Sequence, residues 1–122
     1  MLATRVLAPH GALVVQSGSP YFAPEAFWGN ADTITAAGYR TLPYQVDVPS
    51  FGNWGFVLAR HDGAAPVLRL APGVPRRFLD APTLAASTTF PADRARSRYR
   101  VRPSTLDHPR ILDYTRRGWK TY

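Results

Sequence analysis

Apolar residues along this chain fall into three kinds of pattern, and each predicts a different element. "ALVVQS" at 12–17 is an uninterrupted apolar run with paired valines, which predicts a strand buried on both faces. Phe27, Ala31 and Ile34 recur at i, i+4 and i+7, so they share one face of a helix. That helix is expected over 24–37: Pro24 suits its first position, Glu25 suits the positive end of its dipole, and Gly38 ends it. "RTLPYQVDV" at 40–48 alternates, with Leu42, Tyr44, Val46 and Val48 on one face. Pro43 cannot donate to a ladder, which predicts an edge strand. "PSFGN" is a turn, and "WGFVLAR" at 54–60 is a further strand, pairing back as an antiparallel hairpin.

The flanks are less regular. "LATRVLA" at 2–8 reads as the last turns of a helix, stopped by Pro9 and Gly11, as if an element were cut through its middle. A Gly- and Pro-punctuated loop follows the third strand over 61–75. A short helix is expected over 81–87, capped by Asp80 with Pro82 in its first turn, and another within 105–119. Two regions result: an α/β part over 1–61, and a basic extension over 62–122 that packs on it.

Charge sharpens that division. Residues 1–61 hold three arginines (Arg5, Arg40, Arg60) against three acids (Glu25, Asp32, Asp47), whereas residues 62–122 carry the whole net charge of +7. With no cysteine, disulfides and thiolate metal sites are excluded. No 18-residue apolar run or signal-peptide pattern is present, so a cytoplasmic protein without membrane insertion is expected. His10, His61 and His108 share no metal-ligand spacing and read as ordinary loop histidines. "SGSPY" departs from the Gly-x-Ser-x-Gly elbow of a serine hydrolase, which argues against that chemistry.

In "RARSRYRVR", Arg94, Arg96, Arg98, Arg100 and Arg102 recur at every second residue. On an extended strand all five would point to one face and attract polyanions, nucleic acid among them. The same stripe also suits the solvated face of an edge strand, where charge discourages aggregation.

"GALVVQSGSPYFAPEAFW", "LPYQVDVPSFGNWGFVLA" and "RRFLDAPTLAASTTFPAD" together resemble the C-terminal part of bacterial polyamine aminopropyltransferases, the spermidine synthase family. The resemblance runs from about Leu2 to Trp119. It implies the C-terminal portion of a methyltransferase-like Rossmann sheet of order 3-2-1-4-5-7-6. The strands at 12–17, 40–48 and 54–60 would be its fifth, sixth and seventh: one parallel strand, a helix and an antiparallel hairpin.

The family transfers an aminopropyl group from decarboxylated S-adenosylmethionine, a co-substrate, to a diamine, with no metal or other cofactor. By that resemblance Gln16 matches the glutamine beside the diamine. Phe51 matches the aromatic of the channel, often a tyrosine. Tyr21 and Trp54 are further candidates for the pocket wall. The family's glycine-rich nucleotide loop, ribose-binding acid and Asp-Ser-x-Asp gate have no counterpart in this sequence. The resemblance therefore implies an acceptor-side wall with no catalytic residue of its own, inactive alone, serving a diamine or polyamine once the missing part is supplied. The open side of the strand at 12–17 predicts a homo-oligomer. The alternative is a non-catalytic binding module acting through the arginine stripe.

Overall fold

The computed structural model describes residues 2–121. They form a small α/β domain around a three-stranded antiparallel sheet. Strand β1 (Ala12–Gln16) is followed by helix α1 (Pro24–Ala36), then by strands β2 (Arg40–Val48) and β3 (Gly52–Arg60). Helices α2 (Ala81–Ser87) and α3 (Arg110–Trp119) lie in the basic half.

The order across the sheet is β1-β3-β2, so the third strand inserts between the first two. β2 is an edge strand, as Pro43 requires. The hairpin turns at Gly52, whose φ of 75° suits a residue without a side chain, and Phe51 N–H donates to the Val48 carbonyl at 2.9 Å. β1 and β2 both run antiparallel to β3; no two adjacent strands are parallel among the described residues. The hairpin strand separates the two strands that run in the same direction, so the expected parallel strand makes no parallel pairing.

Odd-numbered residues of β1 and β3 face α1. Leu13, Val15, Val57 and Ala59 pack with Phe27, Trp28, Ala31 and Ile34, and Phe27 and Val57 are fully buried. Burying side chains of this size contributes about 1.5–3 kcal/mol each. A Cβ at Gly55 would overlap the Phe27 ring, so the glycine is what lets α1 settle onto β3. The opposite face of β1 is open. Ala12, Val14 and Gln16 are exposed, Val14 to 52%. The expectation of a strand buried on both faces is thus corrected: an apolar run shows that a strand wants cover, not that cover is present.

Other boundaries shift modestly. The first strand ends at Gln16, and the third begins at Gly52 because the ladder continues to the Val48–Gly52 pair. The segment expected to end a helix over 2–8 forms only a 3-10 turn at Leu2–Arg5. α2 forms over 81–87 as expected, with Asp80 accepting from Thr83 N–H at 2.8 Å. The last helix starts at Arg110, after Pro109.

The basic half is tied to α1 by specific bonds. Trp28 Nε1 donates to the Arg94 carbonyl at 2.9 Å, and Ser104 N–H donates to Thr33 Oγ1 at 2.8 Å. Arg96 pairs with Asp32 at 2.7 Å, and Arg117 with Glu25 at 2.8 Å. Tyr114 of α3 is buried beside Ala23 and Ala26. Gly29 gives α1 the clearance to meet it, since a Cβ there would lie 3.0 Å from the Tyr114 ring.

Candidate functional site

Gln16 ends β1 directly opposite Phe56 of β3. Phe51 sits in the β2–β3 turn, and its ring centroid is 5.7 Å from that of Trp54. Gln16, Phe51 and Trp54 thus meet, with Val48 and Phe56, around a pocket of about 210 Å³. Side-chain alternation explains the arrangement: residues 14, 16, 48, 54 and 56 all lie on the sheet face away from α1. Val48 and Phe56 were not anticipated, although Phe56 lies two residues from Trp54 on the same strand and so shares its face.

Tyr21 does not join them. Ser19 Oγ accepts from the N–H groups of Tyr21 and Phe22 at 3.2 and 3.1 Å, which folds the loop back toward α1. Tyr21 then lies under the Arg94 guanidinium, 4.8 Å from its ring centroid, while Phe22 stacks on Trp119. Ser17 Oγ donates to the Val15 carbonyl at 3.1 Å. Both hydroxyls of the loop are therefore engaged with local backbone.

Aromatic faces and an amide make this pocket suited to an ammonium group. Ring faces attract cations, and the Gln16 carbonyl can accept their hydrogens. Phe51 is 65% exposed and forms the mouth. Trp54 Nε1 is buried without a hydrogen-bond partner among the described residues. None of the five wall residues is a carboxylate, so the wall can position an amine and cannot take its proton.

The arginines behave differently from expectation. Residues 92–94 and 96–98 are 3-10 turns, so the two-residue period that would align Arg94, Arg96, Arg98, Arg100 and Arg102 on one strand face is lost. Arg94 binds its neighbour Asp93 at 2.9 Å and lies over the Tyr21 ring, and Arg96 binds Asp32, so these two guanidinium groups sit against the domain. Among the described residues no group of three or more His, Asp or Glu could hold a metal ion, and no helix is long and apolar enough to cross a membrane.

Comparison with known proteins points one way. The chain is 57% identical over 122 residues to polyamine aminopropyltransferase 1 of Streptomyces coelicolor, a match covering 99% of this chain and 23% of that protein. The polyamine aminopropyltransferase of Mycobacterium tuberculosis (strain H37Rv) is 50% identical over 120 residues, covering 97% of this chain and 22% of its own length. That of Oceanobacillus iheyensis is 36% identical over 118 residues, covering 95% and 23%. The chain thus spans less than a quarter of the length of these curated relatives. No protein-family model and no solved structure matches it.

Proposed function

This chain is homologous, over nearly its whole length, to the bacterial polyamine aminopropyltransferases, and we propose that it supplies the acceptor-side wall of such an active site and is inactive alone. The observation that carries this reading is the convergence of Gln16, Phe51 and Trp54, drawn from β1, a turn and β3, on one pocket. The β1-β3-β2 order supports it too, since it agrees with the 5-7-6 sheet edge that the family resemblance implies.

In the proposed reaction a neutral amine nitrogen of a diamine attacks the carbon next to the donor's sulfonium. The new C–N bond forms as the C–S bond breaks, methylthioadenosine leaves, and the amine's proton passes to a base. Gln16 and the aromatic rings hold and aim the diamine. Such positioning contributes up to about 7–11 kcal/mol when both reactants are held. Here only one reactant has a wall. The donor site and the base are assigned to the part of the relatives that this chain does not span. Among the described residues one side of β1 has no neighbouring strand, which leaves room for that part to extend the sheet.

An assay of the purified chain with decarboxylated S-adenosylmethionine and putrescine tests the proposal. No spermidine is expected from the chain alone. Activity is expected on adding the remaining segment of the Streptomyces coelicolor relative, expressed separately. Turnover by the chain alone, lost on Gln16→Ala, would overturn the reading.

A further inference from the structure

Trp119 is the last residue of α3, yet its side chain bears on the turn that carries Phe51. Gly118 makes this possible. A Cβ there would lie 2.7 Å from Ala23 Cβ and 3.0 Å from the Phe22 carbonyl oxygen, so the missing side chain lets the end of α3 close onto the start of α1. That approach lays the Trp119 indole almost flat on the Phe22 ring, with centroids 5.1 Å apart and planes 13° from parallel.

Phe22 in turn borders the β2–β3 turn. A Cβ built on Gly52 would sit 3.9 Å from Phe22 Cε2, which is van der Waals contact distance. Gly52 follows Phe51, whose ring leans on Trp54 at the mouth of the pocket, 5.7 Å between centroids. The Phe51 ring is 65% exposed, so its place is set by the backbone that carries it more than by packing. The loop of Phe22 is itself fixed: its N–H donates to Ser19 Oγ at 3.1 Å, and Tyr21 meets the ring edge-on at 5.0 Å.

We propose, on the reading of the Gln16–Phe51–Trp54 pocket as an amine-binding wall, that Trp119 is a positioning residue for it, acting through Phe22 on the turn that carries Phe51. Neither Trp119 nor Phe22 lines the pocket. The basic half of the chain thereby shapes the mouth of a site it does not line. Because Trp119 acts through Phe51, its removal costs no more than the Phe51 ring contributes, and the two losses do not add.

Two readouts test it. In the ligand-free chain with labelled aromatic rings, Trp119→Ala is expected to weaken the nuclear Overhauser contact between Phe51 and Trp54. Trp119→Phe, which keeps a stacked ring, should preserve it, and Leu112→Ala, at an exposed position on the same helix, should leave it unchanged. In calorimetric titrations with putrescine, Trp119→Ala should weaken binding by at most about two- to fivefold, the limit set by an exposed ring face. The double variant with Phe51→Ala should bind no more weakly than Phe51→Ala alone. Losses that multiply in the double variant would overturn the proposal. So would a Phe51–Trp54 contact unmoved by Trp119→Ala, or moved equally by Leu112→Ala. If the ligand-free contact responds as expected while putrescine binds to none of the proteins, the amine reading fails and the positioning of the turn by Trp119 stands.

Discussion

Gln16 and Phe56 face each other across the β1–β3 ladder, and this one pairing brings the end of the first strand to the aromatic cluster of the hairpin. A shift of one residue in this register would turn Gln16 toward α1 and disperse the pocket. The site therefore depends on sheet register more than on any loop.

Phe51 should separate binding from stability. It is largely exposed, so Phe51→Ala is expected to change stability by less than about 0.5 kcal/mol. Losing its ring face should weaken diamine binding by about two- to fivefold, the value of an exposed cation–π contact of about 0.5–1 kcal/mol. Urea unfolding and calorimetric titration with putrescine measure the two effects. An equal loss in both would assign Phe51 to the core instead.

Gly55→Ala should destabilise the whole domain. The added methyl overlaps the buried Phe27 ring and lies 3.0 Å from Pro20 Cδ, so neither neighbour yields cheaply. A loss of at least about 1–3 kcal/mol is expected from the urea midpoint. An unchanged midpoint would show that α1 does not sit as tightly on β3 as described.

Much of this architecture was legible from the chain. Pro43 identified an edge strand because a missing N–H has the same consequence in any fold, and Asp80 with Pro82 placed α2 because capping is local. Long-range partners were not legible. The spacing of Arg94 to Arg102 suggested a strand, but Trp28 and Asp32, more than sixty residues earlier, hold this segment in turns through the Arg94 carbonyl and the Arg96 guanidinium. Tyr21 looked like a pocket wall until Ser19 was seen to turn the loop away. Gln16 and Phe51 came from the family resemblance; the pattern of residues alone marked neither.

The two sheet edges differ in protection. β2 carries Pro43, Arg40 and Asp47, whereas β1 carries no charge and no proline and exposes Val14. Unprotected edges recruit strands. The chain alone is expected to self-associate through β1, and Val14→Lys to return it to a monomer. Light scattering at tens of micromolar checks this; a monomeric parent chain would contradict it.

Asp62 links the third strand to the N-terminal segment. Its pKa is lowered chiefly by the hydrogen bonds from Arg60, with further help from His10 and the Ala64 N–H. Because the folded pKa lies below the unfolded one, its contribution is fully present above the ordinary carboxylate value of about 4 and is lost as pH falls toward the folded value. Asp62→Asn should therefore cost stability at pH 7 and make the acid-induced loss below about pH 4 shallower. Identical pH profiles for both proteins would remove Asp62 from the account.

The most direct test follows the side-chain signals of Gln16 and Trp54 during titration of the chain with putrescine. The account predicts saturable shifts of the Gln16 carboxamide and the Trp54 indole N–H, weakened by Phe51→Ala. Saturable shifts elsewhere with both of these signals unmoved would contradict it.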